Sequence, residues 1–306
     1  MRSSASRLGL LLLWLGCWLA AQPCLQAQPS FWQPDSSLNR GRLRPIVLGT
    51  AAGVTGLYAG LATVWYADQP RGPWRWFNDG AEWQQLDKVG HAYWAYQESR
   101  MMMDLLHWAG LARTPRVILG GLTGFVLQSP IEILDGSVST YGASSWDLVA
   151  NASGSSLAIL NELLWREQRL QPKFSFWPSP YARQNTELLG SGLSQVIKDY
   201  NGQTYWISTP ISAYFHHKPR WLPAWLSLSA GYGGSGMVGG YGELPRAVID
   251  AREYRRWLLS VDVDWTRIPT RSGLLRTVLY LMNMLKTPAP ALGLEKGKIV
   301  GYGLYY

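Results

Sequence analysis

Between Asp87 and Gly154 the chain sets acidic and polar residues into stretches otherwise apolar enough to lie in a membrane. Asp87-Lys88-x-x-His91 opens one stretch, and Glu132-x-x-Asp135-Gly136 closes the next. Ser144-x-x-Asp147-x-x-x-Asn151-x-x-Gly154 opens a third. An ionisable group in hydrocarbon costs on the order of 3 kcal/mol unless it meets a partner or a wet cavity. The pattern therefore predicts helices that bundle and bring these groups to a shared polar centre.

The composition agrees with a membrane setting. The chain is 47% hydrophobic and 16% charged, against roughly 25% charged in soluble domains. It carries 17 Trp and 16 Tyr, amphipathic aromatics that favour membrane–water boundaries. Its net charge of +8 is spread among Trp, Pro and Gly, without a continuous basic stripe or a recognition motif. Nucleic acid is not an expected partner; attraction to anionic lipid headgroups accounts for the balance.

Residues 1–27 read as a signal peptide: Arg2 and Arg7 are followed by the apolar run Leu8 to Ala21, with Ala21 or Ala27 as a small residue for cleavage. Both cysteines, Cys17 and Cys24, fall in or beside this segment, so a mature chain without cysteine is expected, with neither a disulfide nor thiol chemistry. Leu15-Gly16-Cys17 forms only an incomplete lipoprotein box.

Residues 28–44 read as a polar linker ending in Arg40-x-Arg42-x-Arg44. Ile46 to Tyr66 is uncharged and as long as a bilayer-spanning helix of about 20 residues. Gly49, Gly53, Gly56 and Gly60 lie largely along one side of it, which predicts close packing against a second helix. If the signal is cleaved, the arginines before this span contradict the positive-inside rule. A Trp-rich loop follows, then helices over about 87–109, 115–134 and 145–166. Residues 45–170 thus form a helical membrane module.

Past Leu170 the period changes to two. Trp257, Leu259, Val261, Val263 and Trp265 fall on one side of a strand, with Ser260, Asp262 and Asp264 opposite; similar alternation occurs from Leu226 to Tyr232 and from Val300 to Tyr306. Leu274 to Leu285 has a helical pattern. The terminal strand with its final aromatic resembles the end of an outer-membrane barrel. Four or five candidate strands fall short of the roughly eight that such a barrel needs, however. The expected fold is α+β and membrane-associated: about four apolar helices, then a smaller β-rich module over 171–306, a sheet packed beside the helices. Gly231-x-Gly233-Gly234-x-Gly236 is read as a turn and not as a phosphate loop, since no helix follows.

The chemistry concentrates in the helical module. Asp87 and His91 share a helix face, as do Glu132 and Asp135, and Asp147 and Asn151. Asp87, His91, Glu132, Asp135 and Asp147 are the candidate catalytic groups, with Lys88, Ser144 and Asn151 as binding groups. One imidazole among carboxylates could hold a divalent metal or exchange protons, although no established metal signature is present. Each residue also has a structural reading. Asp87 suits a helix N-terminus, Ser144 with Asp147 suits a cap, and Asn151 with Gly154 suits close packing.

The same residues carry a family resemblance. Asp87-Lys88-x-x-His91, Glu132-x-x-Asp135-Gly136 and Asp147-x-x-x-Asn151-x-x-Gly154 resemble the YfiM-like bacterial envelope family, a domain of unknown function (2279), and more distantly the VanZ-like membrane proteins. Lys198-Asp199-Tyr200-Asn201 and Lys286-x-Pro288-x-Pro290 resemble longer YfiM-like members. The resemblance implies a bacterial cell-envelope membrane protein and no particular reaction. The inner membrane is favoured, with the outer membrane as the alternative. The expected function is binding of a membrane lipid, an envelope glycan or a protein partner through the polar centre. The alternative is a membrane hydrolase or transferase acting on a lipid-linked or cell-wall substrate.

Overall fold

The computed structural model describes residues 31–66, 69–139, 142–183, 185–217, 219–237 and 252–306. The expected signal peptide and both cysteines lie outside them.

Helix α1 spans Arg40–Gly60 and continues as one wider turn over Leu61–Trp65. It begins inside the stretch read as linker. The Asn39 side chain caps it by accepting from the Arg42 N–H (3.2 Å), and Asp35 accepts from Asn39. A capped end satisfies donors that a linker would leave to water. The basic cluster is therefore the first turn of α1, where Arg42 donates to the Trp108 carbonyl at 2.9 Å.

Helix α2 spans Leu86–Trp108 and lies at the centre of the bundle. Helices α3 (Arg113–Gly121) and α4 (Thr123–Asp135) form one apolar run back along it. Helix α5 (Ser145–Trp165) runs beside α2 in the same direction. Glycines set the spacing. A Cβ on Gly124 would lie 1.9 Å from the Ala95 carbonyl oxygen, and one on Gly154 would lie 2.0 Å from that of Ala92. Only a bare backbone allows α4 and α5 so near α2. The glycines of α1 behave differently. A Cβ on Gly49, Gly53, Gly56 or Gly60 meets nothing within 4 Å, so the expected close packing is not made among the described residues. Helix α1 touches the bundle at its first turn and through Tyr58, whose hydroxyl donates to the Leu127 carbonyl. Two runs, Arg40–Thr63 and Arg113–Asp135, are long and apolar enough to cross a membrane.

Strands β1 (Trp76–Phe77) and β2 (Ala143–Ser144) form a short parallel pair beside the polar end of the bundle. The main sheet is antiparallel, with strands in chain order: β3 (Gln171–Phe176), β4 (Gln203–Pro210), β5 (Leu226–Ser235), β6 (Tyr254–Val263), β7 (Ala289–Glu295) and β8 (Lys298–Tyr305). Two short helices, α6 (Thr186–Leu189) and α7 (Gln195–Lys198), precede β4, and α8 (Gly273–Met282) precedes β7. Among the described residues this sheet has six strands, against the four or five expected. The glycine-rich motif is not a turn: β5 runs through Gly231, Gly233 and Gly234. Bare backbone at Gly231 makes room for Trp206 on the next strand, whose ring a Cβ would meet at 2.6 Å.

The sheet curls strongly. Tyr305 on β8 reaches Thr204 and the Trp206 ring on β4, and Trp177 beyond β3 stacks on Tyr306 with ring centroids 4.7 Å apart. The outer edge of β3 is covered by residues 284–286 through the bonds Phe174 N–H to Met284 carbonyl and Lys286 N–H to Phe174 carbonyl. Inside the curl one cross-strand row is Ser208, Ser229, Ser260 and Ala291. Nearby, Lys173 and Asp262 form a fully buried ion pair at 2.8 Å. The neighbouring row Ile207, Ala230, Leu259 and Leu292 faces outward and is exposed. Trp257, Leu259 and Leu292 each expose more than half of their surface.

That inverts the usual arrangement. Full burial of one such side chain is worth about 1.5–3 kcal/mol. Ile207, Leu259 and Leu292, each about half exposed, together forgo on the order of 2–5 kcal/mol.

Candidate functional site

The polar centre forms where α2 and α5 begin and α4 ends. The segment leading into α2 is strained: Trp83, Gln84 and Gln85 all have positive φ, at 47°, 50° and 64°. Left-handed residues other than glycine cost about 1–2 kcal/mol each and persist where surroundings hold them. The Tyr232 hydroxyl donates to the Gln84 carbonyl at 2.6 Å, Arg255 donates to Gln85 Oε1, and Gln85 donates to the Gly80 carbonyl. Strands β5 and β6 thus pin the loop that carries Asp79 and starts α2.

Lys88 is the hub. Its ammonium lies 2.5 Å from Asp79 Oδ2, 2.8 Å from Asp87 Oδ2 and 2.8 Å from Asp147 Oδ1. The Ser144 hydroxyl donates to Asp79 Oδ1 at 2.5 Å and accepts the Asp147 N–H at 3.1 Å, capping α5. Ser144 therefore has the capping role that its spacing suggested and also joins the loop carboxylate to the helix. Asn151 Oδ1 lies 3.1 Å from His91 Nδ1. A carbonyl oxygen only accepts, so Nδ1 carries the hydrogen. His91 Nε2 then faces Asp87 Oδ1 at 3.9 Å and Asp147 Oδ1 at 3.8 Å.

Burial and charge oppose each other in this cluster. Burial would raise the Asp87 carboxyl, but His91, Lys88 and the Tyr200 hydroxyl outweigh it and hold the pKa below its usual value. Burial would lower His91, but Asp87, Asp147 and Glu132 hold it above the ordinary imidazole value. Burial together with the Asp87 charge pushes Asp147 up to about 6. Lys88 is held above its usual value by Asp87 and Asp147 against the opposing effect of burial.

The structure thus brings Asp87, Lys88, His91, Ser144, Asp147 and Asn151 into one cluster. Glu132 joins from α4, where Oε2 accepts the Ser144 N–H at 2.9 Å and buried Oε1 has no hydrogen-bond partner among the described residues. Asp135 stands apart from the Lys88 hub and accepts the Tyr66 hydroxyl at 2.7 Å. Two members are not among the residues that spacing singles out. Asp79 sits in the Trp-rich loop, where no helical period marks it. Tyr200 comes from the β-rich module and donates to Asp87 Oδ1 at 2.8 Å; its only sequence signal is the Lys198-Asp199-Tyr200-Asn201 likeness. Ligand atoms of Asp87, His91 and Asp147 all lie within 4.8 Å of one another, a spacing that could hold a metal ion.

Most of the cluster and of its helices fall within a segment that matches a known family model. Residues 74–163 match the family model described as predicted periplasmic lipoprotein (DUF2279), in agreement with the YfiM-like resemblance over this segment and with a place in the cell envelope. The more distant VanZ-like resemblance has no support in these comparisons. No curated protein matches, and no solved structure matches.

Proposed function

We propose that this chain is a membrane-embedded envelope protein that holds the polar headgroup of a lipid at the Asp87–His91–Asp147 end of its helical bundle. The observation that carries this reading is a coincidence of place. The charged centre shares one end of the apolar bundle with the exposed rings of Trp74, Trp76 and Trp146, and tryptophan rings sit at headgroup level. Asp79, Asp87 and Asp147 outnumber the Lys88 ammonium that they surround. The excess negative charge favours a headgroup with an ammonium, such as phosphoethanolamine.

Lipid retention tests it. Protein in nanodiscs of mixed phosphatidylethanolamine and phosphatidylglycerol is stripped with detergent and weighed intact by native mass spectrometry. Phosphatidylethanolamine should remain on the wild type and be lost from Asp87→Asn and His91→Ala variants that keep their circular dichroism. Equal loss of both lipids from wild type and variants would sink the reading.

A second reading, a membrane enzyme on a lipid-linked or cell-wall substrate, rests on the three ligand atoms within 4.8 Å. A divalent ion there would compete with the Lys88 ammonium for Asp87 and Asp147, which is why it stands second. Metal bound in proportion to protein, and lost in a folded His91→Ala variant, would reverse the order of the two readings.

A further inference from the structure

We infer that the outward face of the curled sheet is a lipid-facing wall, so that the β-rich module enters the bilayer alongside the helices. The inference rests on the membrane reading of α1 and α3–α4 and is independent of headgroup binding.

Register is the first support. The inner row Ser208–Ser229–Ser260 and the buried Lys173–Asp262 pair lie inside the curl, beside an apolar cluster of Trp206, Leu258 and Ala291. Alternation then forces Ile207, Leu228, Leu259, Val261 and Leu292 outward, where all are exposed. A slip of one residue would bury the apolar row only by expelling that ion pair. An apolar outside around a polar inside is the plan of membrane barrels.

Strand length is the second. Strands β5 and β6 each run ten residues, within the roughly 9–11 that a tilted strand needs to cross hydrocarbon, whereas the flanking strands β3, β4, β7 and β8 are shorter.

The third is continuity and edges. Helix α8, between β6 and β7, also turns Leu274, Leu275, Val278 and Leu281 outward. The edge of β3 is hydrogen-bonded to residues 284–286, which shields that edge from hydrocarbon; the other outer strand, β8, has no further strand beside it among the described residues. The occupant that fits a broad apolar face of this kind is the acyl-chain region of a bilayer.

Photo-crosslinking tests it on the full chain reconstituted in phosphatidylethanolamine–phosphatidylglycerol vesicles. Benzoylphenylalanine replaces Leu259 on the outer face, Ser260 on the inner face, or Leu48 on α1, and adducts are read by mass spectrometry. Lipid adducts at 259 and 48, with none at 260, are expected. Lipid at 48 but not at 259 would overturn this inference and leave the helical reading standing. Lipid at neither site would overturn both. Crosslinks from 259 to a second copy of the chain would overturn it in favour of a protein interface.

Discussion

The helical module and the β-rich module keep their polar groups inside by different means. In the helices the interior is set by bare backbone: Gly124 and Gly154 let α4 and α5 close on α2, and the Lys88 cluster sits at one end. In the sheet the interior is set by alternation, and its charges sit within the curl as the Lys173–Asp262 pair. The helical centre is partly open, since the side chains of Asp87 and His91 keep 24% and 18% of their surface. The sheet pair keeps none. A closed pair serves the fold, whereas a centre with an open edge is available to a ligand. That difference is the ground for proposing binding at the helical centre and a lipid-facing wall in the sheet.

The largest effect expected breaks the helical side. Gly154→Leu forces a side chain into the Ala92 carbonyl, and overpacking against backbone should cost on the order of 3 kcal/mol or more. Loss of the folded, protease-resistant chain on expression is the outcome to look for.

On the sheet side, Lys173→Met leaves Asp262 buried with the Thr287 N–H at 3.1 Å and the Lys286 ammonium at 3.8 Å. Breaking a buried pair costs about 3–5 kcal/mol, read as a lower midpoint in detergent melts. The double variant Lys173→Met/Asp262→Leu should recover much of the loss. If the double falls as far as the single, the pair is not the main support of the curl.

The open centre should respond to pH in a direction fixed by its charges. His91 is held above its unfolded value of about 6.5, so its stabilising contribution is full below that pH and is lost as pH rises through the folded value. Asp147, raised to about 6 from 3.8, acts in the same direction, its contribution lost as pH climbs through about 6. Asp87, lowered, contributes above 3.8 and loses that contribution as pH falls through its folded value. Thermal stability should therefore decline from about pH 5 towards pH 8. Asp147→Asn should lower the His91 pKa followed by NMR; an unmoved His91 would separate the two groups.

The smallest effect should come from the outer face. Leu259→Ser in detergent should change stability by less than about 0.5 kcal/mol, because the residue already exposes 56% of its surface. A loss of several times that size would mean that Leu259 is packed and the sheet is not inverted.

Much of the helical module is legible in the sequence. Spans near 87–109 and 145–166 follow from apolar runs with capping residues and Gly110, and α2 and α5 lie at those places. Grouping Asp87, His91, Asp147 and Asn151 follows from the four-residue spacing, since each pair shares a helix face. Asp79 is silent because it reaches Lys88 from a loop, and loops have no period. Tyr200 is silent because its meeting with Asp87 joins positions far apart in the chain.

The sheet shows the other limit. Alternation from Trp257 to Val263 determined a strand with one apolar and one polar face. It did not determine which face points inward, because period two is the same for either choice. That was decided by the tertiary structure, where the Lys173–Asp262 pair and the serine row occupy the inside of the curl. The sequence alone determined the helices that carry the centre, most of its polar positions and the envelope-family resemblance of that segment. The direction of the faces and the membership of Asp79 and Tyr200 came only with the tertiary structure, because both depend on contacts between segments that local pattern cannot encode.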